Sequence, residues 1–392
     1  MGCLVRISKP VFDRLGLGLW IGAFAVVLGL VLWSPDARTV LHAYRYGSVE
    51  FLAGRPLYDL ESEMGYLYTP AFAALYIPFL NLGPHLGGLV WHALGFAVLT
   101  LAAARQVRKL GGQEQTWLLS FGLFLALPMT LGAIRNGQAT ILLTGACWLL
   151  TLSALEGRRA ETFFWASLAI TAKPTAIIML LLVGALRPRL IPVLVLAVLF
   201  VLAIPYAFAP AGYLNEQYGD FARMLTSMAV DKTSHFVPTD FTAPFIEMGL
   251  PVPDSAATAV RVVIGLLTLS IVLWFDRKLE QGAAGLAIFL AAAFYMCVFN
   301  PRVEPNTYAM IAVPAGLAIA LLWREEKGGV LACVLSMTLF LTGLTGVERH
   351  MHDFLYPWFR PITVTFIACF LIWWFWAKAR QKLVNVEPVA HG

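Results

Sequence analysis

Residues 283–323 read AAGLAIFLAAAFYMCVFNPRVEPNTYAMIAVPAGLAIALLW. Two uncharged apolar runs, 283–299 and 307–323, flank the turn Asn300-Pro301-Arg302-Val303-Glu304-Pro305-Asn306-Thr307-Tyr308. Coiled at 1.5 Å per residue, each run is about 25 Å long, close to the roughly 30 Å hydrocarbon core of a bilayer. The turn packs a cation, a carboxylate, an amide, a hydroxyl and a phenol, with two prolines, into nine residues between the two runs. This is the pattern of two membrane helices joined by a rigid polar turn at one face.

The same pattern repeats outward along the chain. Apolar runs of spanning length lie at 15–34, 86–104, 117–134, 138–155, 190–209, 258–275, 328–347 and 361–377. Two shorter stretches, 161–172 and 174–187, are divided by Lys173-Pro174. Proline removes a donor and disfavours helix at the residue before it, and a mid-membrane lysine is costly, so two half-spans are expected to meet at an aqueous face. The segment 66–82 (YLYTPAFAALYIPFLNL) is short and carries two prolines, and reads as re-entrant or interfacial. The fold class is therefore all-α polytopic membrane protein, a bundle of about 12 transmembrane helices.

Composition agrees. Of the 392 residues 59% are hydrophobic and 13% charged, about half the charge of a soluble domain. No hydrophilic stretch is long enough for a soluble domain, so residues 1–392 read as one integral membrane domain. The net charge of +5 does not imply nucleic acid, because the basic residues sit in small clusters between apolar runs. Cys147, Cys297, Cys333 and Cys369 fall inside apolar runs, Cys3 lies near the start, and no CxxC occurs, so the cysteines read as small apolar residues without disulfide or metal roles. The run after Arg6, Lys9 and Arg14 lacks a convincing cleavage site and reads as a retained first helix.

Placing Arg105/Arg108/Lys109, Arg158/Arg159, Arg187/Arg189, Arg277/Lys278, Arg324/Lys327 and Lys378/Arg380/Lys382 in the cytoplasm gives a consistent topology, with both termini inside and 378–392 as a cytoplasmic tail. Left on the periplasmic or extracellular side of an inner membrane are 35–66, the turn Arg135-Asn136-Gly137-Gln138, the Lys173-Pro174 break, 210–257, Asn300–Thr307 and 348–360. These loops hold nearly all the polar residues outside the cytoplasm, which points to a chemical site at that face.

Each loop offers candidates, with a plainer reading beside it. In 35–66, Tyr44, Tyr46, Phe51, Leu52 and Leu57 suggest an amphipathic helix ended by Gly54-Arg55-Pro56. Arg45 and Arg55 run against the positive-inside bias, and a guanidinium fork suits phosphate. Tyr66 and Tyr68 fit either a site or an interfacial aromatic belt. Arg135, Asn136 and Gln138 supply more donors than a hairpin needs, although a solvated turn would use them too. Lys173 reads as a ligand contact pinned by Pro174, or as a snorkelling lysine. Arg302 and Glu304 present themselves to a cavity or pair with each other. The loop 210–257 adds Asp231, Lys232, His235 and Asp240. The last turn adds Glu348, Arg349, His350, His352 and Asp353, whose His-x-His spacing is weak evidence for a metal.

The order of these features resembles glycosyltransferase family 87, within the GT-C superfamily. Tyr44, Gly54 and Tyr58 lie in a long first loop, followed by Tyr68-x-Pro70, Asn136-Gly137-Gln138, Lys173-Pro174 and Pro301-Arg302-x-Glu304-x-Asn306-x-Tyr308, from about Val40 to Leu321. The resemblance implies a GT-C-like bundle with interfacial helices in its first loop. It implies an inverting transferase that moves a sugar, typically mannose, from a polyprenyl phosphate to a lipid or glycan acceptor. The family's acidic base falls on Val40 here; the nearest carboxylates are Asp36, Glu50, Asp59, Glu61 and Glu63.

Such a reaction needs an acceptor hydroxyl oriented and deprotonated, and charge on the departing phosphate stabilised. Glu304 and Asp36 are the candidate bases, with His235 or Asp240 third. Lys173, Arg135, Arg302 and Arg45 are candidates for phosphate, and Tyr44, Arg55, Tyr58, Tyr68, Asn136, Gln138, Asn306 and Tyr308 complete the candidate substrate contacts. No glycine-rich phosphate loop or nucleotide fingerprint occurs, and no cofactor is called for, a divalent metal remaining an option. The reading from another class is a transporter or flippase, which should show internal repeats and charges at mid-membrane; no clear repeat is found. A family member that binds donor without transferring sugar is a third.

Overall fold

The computed structural model describes residues 9–58, 66–112, 114–230, 239–301, 303–326, 328–345 and 355–384. They form α-helices joined by turns, with no strand among them. In chain order the helices are α1 Lys9–Trp33, α2 Leu41–Leu52, α3 Pro70–Asn81, α4 Gly83–Leu110, α5 Gln115–Arg135, α6 Ala139–Leu155, α7 Arg159–Ala172, α8 Ile177–Leu186, α9 Ile191–Ala203, α10 Ala211–Val230, α11 Ala243–Glu247, α12 Asp254–Lys278, α13 Gln281–Val298, α14 Ala309–Glu325, α15 Val330–Leu344 and α16 Phe359–Val384.

Among the described residues, eight helical stretches are long and apolar enough to cross a bilayer: Leu15–Trp33, Gly83–Leu110, Gln115–Arg135, Pro188–Ala207, Asp254–Lys278, Gln281–Val298, Pro305–Glu325 and Phe359–Gln381. Pro70–Asn81, Ala139–Leu155, Pro174–Leu186 and Val330–Leu344 are shorter apolar helices. The chain is an all-α polytopic membrane protein. The basic residues close the helices as expected: Arg108 and Lys109 end α4, Arg277 and Lys278 end α12, and Arg324 lies in the last turn of α14. Helix α3 has 12 residues, about 18 Å, too short to span by itself.

The chain divides into two compact units. The first comprises Met1–Phe24, Leu101–Gly132 and Pro238–Gly392. Its centre is the pair α13 and α14, of which 83% and 89% are buried over the apolar windows. Without a hydrophobic force between helices in lipid, close packing depends on small residues. Gly122 of α5 meets Leu317 of α14, and a Cβ at Gly316 would collide with the Gly122 carbonyl. Gln106 donates to the Gly282 carbonyl at 2.7 Å, satisfying both groups inside the unit.

The second unit comprises Ala25–Thr100 and Ala133–Val237. Its centre is α6, buried from Ala139 to Ala154. Its hydroxyl residues reach back along the helix: Thr144 to Thr140 at 2.6 Å, Thr151 to Cys147 at 2.9 Å and Ser153 to Leu149 at 2.7 Å. Each hydroxyl is thereby satisfied without water, which is what admits it to the interior of a membrane helix.

The Lys173-Pro174 break stands where the sequence puts it. Helix α7 ends at Ala172, Lys173 is extended (φ −159°, ψ 134°), and Pro174–Ala176 form a single tight turn before α8. The cysteines differ from expectation in part. Cys147 and Cys297 are buried, whereas Cys333 is half-buried and Cys369 exposed on α16.

Candidate functional site

In the second unit the site is built around the N-terminus of α6. The turn Arg135-Asn136-Gly137-Gln138 reverses the chain into that helix, and Gly137 takes a left-handed φ of +67°. A side chain there would press on Leu41 and on the ring of His92. The turn is clasped to the start of α2 through backbone: Val40 N–H donates to the Asn136 carbonyl at 3.0 Å and Thr39 Oγ1 to the same oxygen at 3.1 Å. Trp91 Nε1 donates to the Gly137 carbonyl at 2.9 Å.

Helix α2 is amphipathic, burying Leu41, Tyr44, Gly47, Ser48 and Phe51, while Tyr46 and Leu52 stay exposed. Tyr44 is fully buried; its hydroxyl accepts the Ala139 N–H at 3.0 Å, one of the N–H groups an α-helix start leaves without a helical partner. Tyr68 Oη lies 3.0 Å from Tyr44 Oη, and Tyr58 Oη donates to the Tyr68 carbonyl at 2.8 Å. Phe72, Tyr76 and Trp91 close an aromatic box around Tyr44, with ring centroids 4.8–5.6 Å away. Burial holds the Tyr44 and Tyr58 phenols well above the usual tyrosine range, so both stay protonated. Tyr66 is buried too, donating to the Thr69 carbonyl at 3.1 Å, and so does not belong to an interfacial belt.

Three cations are carried by the elements that meet at this helix end. Lys173 Nζ donates to Thr140 Oγ1 in the first turn of α6 at 3.4 Å. Arg45, next to Tyr44 on α2, pairs through Nη2 with Asp36. The Asp36 side chain is 64% exposed, against 19% for Arg45. Nη1 of Arg45 and Nη1 of Arg135 are both buried without a hydrogen-bond partner among the described residues. Arg38, the one non-glycine residue with positive φ among those described (52°), acts electrostatically on Arg135. Chemically, the elements that meet here carry guanidinium and ammonium groups and one paired, exposed carboxylate, Asp36, and two of the guanidinium nitrogens keep donor capacity among the described residues.

Arg55 is placed differently. It grips Glu50 with two bonds, 2.6 and 2.8 Å, on the surface. That hydrogen bond holds the Glu50 carboxyl below the usual range. The Arg55 carbonyl accepts from Tyr213 Oη at 2.8 Å, and burial pushes that phenol up to about 12. Gln217, buried on α10, accepts the Leu57 N–H at 2.7 Å. Arg55 and Tyr58 are thus anchored by α10.

In the first unit the late turn is held from several sides. Glu304, half-buried, closes a tight turn in which its N–H meets Thr307 Oγ1 at 3.2 Å and its carbonyl accepts the Thr307 N–H at 2.9 Å. Asn306 Oδ1 lies against Gly132. Tyr308 is fully buried and donates to the Thr239 carbonyl at 2.6 Å, while Thr239 bonds the Val303 carbonyl through both N–H and hydroxyl. Asp240 is wholly buried and engaged on both oxygens. Oδ1 accepts from Thr242 N–H at 2.9 Å and Thr242 Oγ1 at 2.5 Å; Oδ2 accepts from Arg261 at 2.6 Å. It is the counter-ion of Arg261 and is sealed from any acceptor hydroxyl by its burial.

Arg302 and His235 lie outside the described residues, as do Asp59, Glu61, Glu63, Asp231, Lys232, Glu348, Arg349, His350, His352 and Asp353. Among those described, no cluster of three or more metal-ligating side chains forms. Sequence reasoning missed Arg38, Thr140, Arg261 and Arg360. Arg360 left a signal, being an arginine at the opposite end of a spanning helix from the basic residues Lys378 and Arg380. Arg261 left only a charge inside an apolar run, without its partner.

The sequence model of glycosyltransferase family 87 matches residues 66–301, more than half the chain. The match includes Tyr68, the Asn136-Gly137-Gln138 turn and Lys173; Asp36, Arg45 and Glu304 lie outside it. No curated protein and no solved structure matches the chain.

Proposed function

This chain belongs to glycosyltransferase family 87, and from that premise we propose that it moves a hexose, mannose being the first to test, from a polyprenyl-phosphate donor to a lipid or glycan acceptor, with inversion, at the outer face of an inner membrane. Both termini then lie in the cytoplasm, on the side of the basic helix ends. The observation that carries the reading is Arg45: Nη2 holds Asp36 while Nη1 is buried without a hydrogen-bond partner among the described residues. A phosphate and a catalytic carboxylate would meet on one guanidinium.

In this mechanism Arg45, Arg135 and Lys173 take the phosphate oxygens. As the bond from the anomeric carbon to phosphate oxygen breaks, negative charge grows on the leaving group, and cations fixed beforehand stabilise it without reorganisation. Asp36, the exposed carboxylate of the pair, accepts the proton of the acceptor hydroxyl. Glu304 is the second candidate base. Tyr44 and Tyr58 support the site from behind, and Tyr68, half-exposed, is the aromatic residue open to substrate.

The test is purified protein in lipid, supplied with labelled polyprenyl-phosphate sugars, with products followed by mass spectrometry. Transfer should occur with a polyprenyl-phosphate hexose, and Asp36→Asn should reduce it by about 10²–10⁴-fold, the usual worth of a positioned base. If Asp36→Asn and Glu304→Gln both transfer at the wild-type rate, neither carboxylate is the base.

A further inference from the structure

The phenols packed about Tyr44 find partners inside the second unit. Tyr44 accepts from the Ala139 N–H, and Tyr58 and Tyr66 donate to the carbonyls of Tyr68 and Thr69. Tyr76, in the middle of α3, is different. It is 1% exposed, yet among the described residues its hydroxyl makes no hydrogen bond. Its ring is held by Tyr44, Phe79 and Trp91, with centroids 5.3–5.5 Å away. A phenylalanine would fill that place equally well, and a buried hydroxyl without a partner is destabilising. The oxygen therefore needs a reason outside the packing.

The charge that acts on it supplies one. The Tyr76 phenol feels the positive charge of Arg45. Arg45 commits Nη2 to Asp36, and its Nη1 is buried without a hydrogen-bond partner among the described residues. A guanidinium carries donors only, so Arg45 cannot take the phenol's proton. What completes the two groups is an anion with at least two acceptor oxygens. The aromatic walls strengthen each hydrogen bond made there, because the local dielectric is low. A phosphoester offers two non-bridging oxygens. Along α3 the neighbours of Tyr76, namely Leu75, Ile77, Pro78 and Leu80, are apolar and not fully buried. The anion therefore arrives with hydrocarbon beside it, as a lipid phosphate does and a soluble sugar phosphate does not.

We propose that Tyr76 is a phosphate-binding residue of this site, its hydroxyl donating to one non-bridging oxygen of the lipid-linked donor while Arg45 Nη1 takes another. This rests on the transferase reading and adds a residue to it. In the transfer step the electron pair of the breaking bond, from anomeric carbon to oxygen, goes to the phosphate. Tyr76 keeps its proton, and its hydrogen bond strengthens as that charge grows.

Tyr76→Phe keeps the ring and removes only the oxygen. The full chain in nanodiscs is compared with this variant in three measurements: transfer from a polyprenyl-phosphate hexose, retention of polyprenyl phosphate and of polyprenol in native mass spectrometry, and the thermal midpoint without ligand. Both kcat/KM and polyprenyl-phosphate retention should fall about 10–100-fold, the worth of one hydrogen bond to a charged group. Polyprenol retention should not change, and the midpoint should stay or rise, the reverse of a packing defect. A lowered midpoint, or an equal loss of polyprenol, makes the hydroxyl structural and overturns the proposal. Unchanged transfer and retention leave it a ligand for water only and overturn the proposal while the transferase reading stands. If the wild type holds polyprenyl phosphate but transfers no sugar, the transferase reading fails and the retention arm still decides Tyr76. A wild type that neither transfers nor retains overturns both.

Discussion

Asp240 separates a structural carboxylate from a catalytic one, and the structure gives the size of the effect. In Asp240→Asn the charge is lost while the volume stays, leaving Arg261 with four-fifths of its side chain buried and no counter-ion. Removing one partner of a buried pair costs about 3–5 kcal/mol. Arg261 retains 20% exposure and the face of Phe241, 5.4 Å from its ring centroid, so the low end applies, about 3 kcal/mol. For a compact unit of this size that lowers the thermal midpoint by roughly 6–12 °C. The assay is thermal unfolding at fixed lipid composition, beside the transfer rate per folded molecule. Asp240→Asn with Arg261→Gln, which removes both charges, should recover at least half the loss. A variant that keeps its midpoint within about 1 °C yet loses all transfer would make Asp240 catalytic and refute the reasoning.

Three further outcomes follow from other parts of the molecule. Tyr44→Phe strands the Ala139 N–H in a buried box and should destabilise by about 1–3 kcal/mol, read as the shift in denaturation midpoint, with transfer per folded molecule reduced less than by Asp36→Asn. Gly316→Leu drives a side chain into the Gly122 carbonyl; overpacking of this kind costs about 1–3 kcal/mol or more, whereas Gly18→Leu, where nothing lies near, should leave the midpoint unchanged. The Glu50 carboxyl is held low by Arg55, so its small contribution is complete above the unfolded value near 4.3 and fades as pH falls through the lower folded value. Glu50→Gln should therefore flatten the stability profile below about pH 4.3 and leave it alone at neutral pH.

Much of the architecture was legible because lipid imposes a length and a composition. The runs read at 15–34, 258–275 and 361–377 became Leu15–Trp33, Asp254–Lys278 and Phe359–Gln381. The Lys173-Pro174 break held because proline acts on its immediate neighbour, whatever the rest of the chain does. Boundaries drifted where a polar turn continues a helix: 86–104 became Gly83–Leu110, since Arg105, Arg108 and Lys109 coil on past the apolar region.

The site was legible only in outline. Arg45, Arg135 and Lys173 stood out as cations that the topology expected from the sequence puts outside the cytoplasm, but the sequence did not tell which aromatic residues were scaffold. Tyr44 and Tyr68 look alike in the chain; folding buries one completely and leaves the other half-exposed. Asp240 and Glu304 also look alike as loop carboxylates, yet among the described residues it is Asp240 that pairs with an arginine, 21 residues away, across α11.

The sequence alone therefore determined that the chain crosses a membrane repeatedly, where its helices break, and which family it joins, because hydropathy, proline and motif order act over a few neighbouring residues. Tertiary structure alone decided which charges are neutralised, which phenols are sealed, and which guanidinium nitrogens stay available. Those outcomes depend on pairs such as Tyr44 with Ala139 and Arg360 with Pro305, far apart in the chain, and only packing brings them together.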